Sequence, residues 1–254
     1  MSAGLRNAGR LVAMLAVAML ALQLFFLLRV ALMVVIAPES TSFQRSEIWR
    51  IVVEKHQLPW LQESVASSRI SDNLRRAVIA SEDAGFVDHH GVEWDAVEKA
   101  WSKNEKALAR VEARQARPRR GADGKPRMVM PKVVGGSTIS QQLAKNLFLS
   151  GERSILRKGQ ELVITMMLEL LLGKERILTT YLNNVEWGEG VFGAQAASEH
   201  YFRTNAATLG PAQAARLAVM LPAPKRFEKS PSSPYVLGRS ATIVARMGGV
   251  DLPD

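Results

Sequence analysis

Between Leu11 and Leu28 the chain carries no charged residue and only one strongly polar one, Gln23, and after Arg29 the apolar run resumes from Val30 to Ala37. As a helix such a run crosses roughly 30 Å of hydrocarbon. A cleavable signal peptide has an apolar core of roughly 7 to 15 residues, which this run exceeds, so the segment reads as a retained membrane anchor. Arg6 and Arg10 precede it. Positive residues stay on the cytoplasmic side, which places everything after residue 40 outside. Arg29, near the outer end, is expected to snorkel to the interface, leaving Val30 to Ile36 in or just above the outer leaflet. Residues 1–40 are thus assigned to a cytoplasmic stub and anchor. The rest, residues 41–254, is of a size for one soluble domain.

Cysteine is absent, which removes a disulfide framework and thiolate chemistry. The formal net charge is +9, and residues 103–132 hold most of it, with ten bases against three acids. No aromatic residue interleaves that stretch from Lys103 to Lys132, so it does not read as a nucleic-acid surface. Beyond a membrane, its candidate partners are anionic lipid headgroups or solvent alone.

Helical periodicity recurs from residue 70 onward, and no alternating strand pattern of useful length competes with it. Ser71 is placed to cap a helix running to about Asp83, with Leu74, Ala77 and Val78 on one side. Further helices are expected over 92–114, 138–149, 155–172, 174–183, 193–202 and 211–221, with a last one from Ser233 to about Met247. Residues 118–134, rich in Gly, Pro and basic side chains, read as a loop. The helix from Ile155 is apolar almost all round, which predicts burial at the centre of the fold.

Several places could carry chemistry. Glu82 and Asp83 close a helix, where the dipole disfavours negative charge and raises a carboxylate pKa, which suits proton transfer; a solvated turn is the plainer reading. His89 and His90, which follow Asp88, lack the partners a zinc site needs, and a histidine holding its loop by hydrogen bonds is expected instead. Glu161 heads the most apolar helix, with Arg157 four residues before it as an ion-pair partner. Gly135-Gly136-Ser137-Thr138 leads into a helix carrying Gln141, Gln142 and Lys145. Ser137 is a good N-cap, and the amides there could meet an anion; Ser137, Gln141 and Lys145 would share a face. Arg153 adds a guanidinium suited to a diphosphate, although a solvated Arg is the default.

In order, Glu82-Asp83-Ala84-Gly85-Phe86-Val87-Asp88-His89-His90-Gly91, then Gly135 to Asn146, Arg157-Lys158-Gly159-Gln160-Glu161, and Lys174 to Leu178 with Tyr181-Leu182-Asn183 resemble the motifs of peptidoglycan glycosyltransferases. Ala214 to Pro222 is similar to that family's closing motif. With no transpeptidase set after Ser230, the chain resembles the monofunctional form.

The resemblance implies a mainly α, lysozyme-like domain beside the bacterial inner membrane, periplasmic and held by one transmembrane helix. It would polymerise lipid II, a disaccharide-pentapeptide on undecaprenyl diphosphate, by inverting β-1,4 transfer onto the nascent glycan strand. Glu82 matches the family's general base and Glu161 its second catalytic glutamate. Lys145 and Arg153 match diphosphate-holding positions, and Ser137 and Gln142 line the cleft. Arg157, Lys158 and Asn183 complete the implied substrate-binding set. No cofactor is assigned, although a divalent cation, Mg or Mn, at the diphosphate is the one candidate. Implied partners are the membrane, lipid II, the glycan strand and other cell-wall synthesis proteins, without nucleic acid.

Two departures stand out. Glu93 replaces the usual Asp two residues after Gly91, and the basic stretch is longer than usual. Two other readings stay open: a lysozyme-type enzyme that cleaves glycans, and a non-catalytic scaffold for anionic lipid or polymer.

Overall fold

Helix α1 (Ala3–Leu32) includes the apolar run and continues without a break past Arg29. The computed structural model describes residues 3–115, 136–149, 151–152 and 154–253. The chain divides into two compact units, residues 1–91 with 139–254, and residues 92–138. The second contains α4 (Trp94–Gln115), close to the predicted 92–114 helix. Trp94 and Trp101 are exposed on it, and Trp101 Nε1 donates to Glu105 Oε1 at 2.9 Å. The predicted loop over 118–134 lies outside the described residues.

In the larger unit α2 (Ser42–Lys55) opens with a reciprocal cap. Gln44 N donates to Thr41 Oγ1 and Thr41 N to Gln44 Oε1, so two amides with no intrahelical partner are satisfied together. Helix α3 (Asp72–Glu82) has Ser71 as its N-cap, as predicted, and buries Leu74, Ala77 and Val78 together with Ile79 and Ala80. Helices α5 (Ile139–Phe148), α6 (Ile155–Leu171) and α7 (Lys174–Asn184) follow. Then come α8 (Ala194–Phe202), α9 (Pro211–Met220), the single turn α10 (Pro224–Phe227) and α11 (Pro234–Met247). Pro211 opens α9 at its first turn, where a missing N–H costs nothing.

The core differs from expectation in three respects. The first is a small sheet in the order β1-β3-β2, from β1 (Leu61–Gln62), β2 (Glu186–Gly188) and β3 (Val191–Phe192). β1 pairs parallel and β2 antiparallel to β3. Its strands are two or three residues long, and β2 and β3 are buried throughout, so no alternation could have betrayed them. Second, α6 is not buried all round. It buries Glu161, Ile164, Thr165 and Leu168, yet Ile155, Leu156 and Leu170 are 92%, 87% and 80% exposed. The central helices are instead α7, which buries Ile177, Leu178, Tyr181 and Leu182, and α9, whose small residues allow close packing; Ala214, Ala215, Leu217 and Ala218 are fully buried. Third, the segment after Arg29 is partly buried in protein, with Val34, Val35 and Ile36 left exposed. Phe26, Val30 and Met33 belong to the same apolar core as α3, α7 and α9.

Candidate active site

The end of α3 delivers Glu82 half-buried, and its carboxylate is met by a neutral partner rather than a cation. Gln142 Nε2 on α5 donates to Glu82 Oε2 at 3.0 Å, and Tyr181 OH on α7 donates to Gln142 Oε1 at 3.0 Å. Ser81 Oγ reaches Glu82 Oε1 at 3.5 Å. Burial raises the Glu82 pKa above the ordinary carboxylate value, with the neighbouring Asp83 adding to the rise; the bonds from Gln142 and Ser81 oppose it. Desolvation of its ring, with the charges of Glu82 and Asp83 nearby, raises the Tyr181 phenol well above its usual value, so it stays a neutral donor.

Asp83, next in sequence, has a different task. It is 4% exposed, accepts from His89 Nε2 at 2.8 Å through Oδ1, and accepts from Ile139 N at 2.9 Å through Oδ2. Gly91 N donates to His89 Nδ1 at 3.1 Å, so that nitrogen is an acceptor and the ring proton sits on Nε2. His89 therefore holds its loop, as expected. Lys174 Nζ adds a second tie, donating to His89 O at 2.6 Å and pairing with Glu169 Oε1 at 2.9 Å. Gly91 closes the loop at φ +85°, where a Cβ would stand 2.7 Å from Thr165 Cγ2 of α6. Only glycine tolerates both conditions.

Asp83 also corrects the expectation for the Gly-Gly-Ser-Thr segment. Helix α5 begins at Ile139, so Ser137 lies before the cap position. The first helical amide already meets the protein's own carboxylate, which takes the place foreseen for a ligand anion. Gln141 is buried while Lys145 is exposed, so they do not present one open face.

The cationic end of the site lies one turn further along α5. Glu161, 3% exposed on the first turns of α6, pairs through Oε2 with Arg157 Nη1 at 2.8 Å and through Oε1 with Lys158 Nζ. Ser154 caps α6 by accepting from Arg157 N at 3.1 Å, which fixes the turn that carries both cations. Lys145 faces this group. Although much of Lys145 is exposed, loss of water around it is the main cause that lowers its pKa; Glu161 opposes the shift, and Arg157 and Lys158 add to it. Two cations pair with the Glu161 carboxylate and a third, Lys145, lies within their electrostatic reach, and Arg157 Nε is buried without a protein partner among the described residues. The arrangement carries net positive charge.

The sequence profile of the Transglycosylase family matches residues 53–114 and 127–248. The chain belongs to that family. It is 49% identical to the biosynthetic peptidoglycan transglycosylase of Paraburkholderia xenovorans, covering 95% of this chain and 92% of that one. The proteins of the same name from Cupriavidus pinatubonensis and Herminiimonas arsenicoxydans are each 48% identical, covering 98% and 92% of this chain and 92% of their own lengths. The transglycosylase profile breaks between residues 114 and 127, inside the basic stretch.

Within this transglycosylase the structure brings Glu82 to Gln142, and Lys145 to Arg157, Lys158 and Glu161, with α5 supplying a residue to each group. Ser137 belongs to the separate 92–138 unit, and Arg153 lies outside the described residues. Asn183 is buried against Val65: its Oδ1 accepts from Val65 N at 3.1 Å and its Nδ2 donates to Val65 O at 2.9 Å. That peptide-like pairing gives it a place in the fold rather than a free face for substrate. Sequence reasoning missed Tyr181 as the orienter of Gln142 and Asp83 as the anchor of α5. A phenol inside an otherwise packed helix was the one available signal for Tyr181; residues 56 apart left none for Asp83.

Proposed function

We propose that this transglycosylase polymerises lipid II, with Glu82 as general base and the Lys145 group as the seat of the leaving diphosphate. Glu82 takes the proton from the 4-hydroxyl of the acceptor N-acetylglucosamine. The freed oxygen attacks the anomeric carbon of the growing strand, the bond to the lipid diphosphate breaks, and configuration inverts. Negative charge moves onto the diphosphate as that bond breaks, and cations fixed beforehand stabilise it without having to reorganise. The observation that carries this reading is the pairing of two unlike carboxylates through α5: a desolvated one at a neutral amide, and one ringed by cations. Unlike environments set unlike roles.

A lysozyme-type cleavage would call on one acid but has no use for three converging cations. Incubating the protein with lipid II and, separately, with finished peptidoglycan distinguishes the two, because lengthened glycans are expected only from the first and shortened glycans are not expected from either. If the basic stretch were instead the working part of a scaffold, deleting residues 114–132 would abolish function; polymerisation is expected to survive that deletion.

Both Glu161 oxygens face cations, so this site fits neutralisation of the diphosphate by side chains better than by Mg or Mn. A chelator is accordingly expected to leave the rate within about twofold, and a collapse of activity restored by Mg or Mn overturns that assignment. α1 has the length and composition of a single membrane span. Arg6 and Arg10 support a cytoplasmic N-terminus, with the catalytic domain on the periplasmic face of the inner membrane.

A further inference from the structure

The one amide in the apolar run is not idle. Gln23 Nε2 donates to Gln160 Oε1 at 2.8 Å and Gln160 Nε2 donates back to Gln23 Oε1 at 3.1 Å, a reciprocal pair between residues 137 apart in sequence. Gln23 lies on the same stripe of α1 as Phe26, Val30 and Met33, at spacings of three, four and three residues. The stripe is seated in the domain: Val30 is fully buried, and the Phe26 and Phe148 rings meet edge to face at 5.6 Å. At its end Arg176 Nε donates to Met33 O at 2.6 Å. The anchor is thus docked along its final three turns, and Gln23 is the innermost contact.

Gln23 stands nine residues before the end of α1, roughly 14 Å below it along the helix axis. An amide at that depth in hydrocarbon is costly unless paired, and a leucine would serve a plain tether better. Its partner is the residue immediately before Glu161. Apolar contacts between helices permit sliding and rotation, whereas a two-bond amide pair allows one register.

We propose that Gln23 and Gln160 are positioning residues, whose reciprocal amide contact fixes the register of the membrane helix against α6 and so sets the height of the Lys145–Arg157–Lys158–Glu161 group relative to the bilayer. This rests on the transglycosylase reading, in which a lipid-linked diphosphate must meet that group at the membrane surface.

The test uses the full chain in phosphatidylethanolamine/phosphatidylglycerol vesicles. The protein has no cysteine, so Gln23→Cys with Gln160→Cys gives a clean pair. Two glutamine side chains span more than a disulfide does, so a short bifunctional thiol reagent is used to bridge them. Near-complete bridging with retained lipid II polymerisation is expected. Folded protein that does not bridge, or that bridges and loses activity, overturns the proposal. Gln23→Leu and Gln160→Leu are each expected to lower polymerisation three- to tenfold, chiefly by raising KM for lipid II. The Gln23→Leu/Gln160→Leu double variant separates register from mere burial. If the pair only satisfies two polar groups, removing both restores the wild-type rate and the proposal fails; if it sets register, the rate stays low. Wild-type activity in the same vesicles tests the transglycosylase reading by itself, since bridging reports the contact whether or not lipid II is used.

Discussion

Glu82 and Glu161 are both shielded carboxylates in one compact unit, yet their surroundings are opposed. Around Glu82 the partners are an amide and a hydroxyl, part of the surrounding water is lost, and the proton is held more tightly than by an ordinary carboxylate. Around Glu161 the partners are a guanidinium and an ammonium, with a third cation close by on α5. The first setting makes a better proton acceptor near neutral pH than a free glutamate. The second makes Glu161 a fixed counter-charge that keeps Arg157 and Lys158 in place while leaving the group positive. On the proposed mechanism, one helix, α5, serves a proton transfer and a leaving group at once.

Replacing the base breaks the comparison most severely. Glu82→Gln keeps the shape and a hydrogen bond but removes the proton acceptor, and lipid II polymerisation is expected to fall about 10²- to 10⁴-fold with unfolding temperature little changed. A variant that polymerised at the normal rate would sink the base assignment. Lys145→Ala attacks the other half. Loss of one fixed cation from the developing diphosphate charge is expected to lower kcat about 10²-fold, with a smaller effect on KM, read in the same assay. An effect confined to KM would mean that Lys145 holds the diphosphate equally before and during transfer.

A subtler change leaves both carboxylates present and alters only how Glu82 is held. The Gln142 bond stabilises the ionised form of Glu82, so Gln142→Leu is expected to raise its pKa further. Glu82 must be ionised to accept a proton, and activity is lost as pH falls through its pKa. The acidic limb of the kcat/KM profile is therefore expected to move to higher pH in the variant. An unmoved limb would indicate that a group other than Glu82 sets it.

Much of this site was legible because local signals agree with the fold. The Ser71 cap, the apolar side of α3 and the Pro211 start of α9 all follow from near neighbours in sequence. The i,i+4 contact between Arg157 and Glu161 is of the same kind. What escaped is long-range. Gln142 meets Glu82 across 60 residues and Asp83 meets Ile139 across 56, and neither periodicity nor composition encodes such pairings. The exposed side of α6 escaped for another reason: an apolar helix looks the same in sequence whether protein or lipid covers it.

Glu186, on β2, offers the finest test of what separates Glu82 from Glu161, because it combines their settings. It is desolvated, as Glu82 is, and faces Lys225 like a member of an ion pair, but Lys225 leans toward Glu47, leaving Glu186 Oε1 at 3.5 Å. Burial prevails, and its pKa is pushed up to about 7, with Glu47 adding to the rise and Lys225 and Arg50 opposing it. A carboxyl whose folded pKa exceeds its unfolded one binds its proton more tightly when folded. Stability is therefore highest below the unfolded value of 4.5, falls as pH rises toward 7, and is level above it. Glu186→Gln imitates the protonated form, so the variant is expected to be about 1–2 kcal/mol more stable than wild type at pH 8 and equal to it near pH 4.5. Urea unfolding at the two pH values measures this. A variant less stable at pH 8 would mean that nearby cations outweigh burial even when they are shared, and the contrast drawn between Glu82 and Glu161 would then have to rest on hydrogen-bond partners rather than on desolvation.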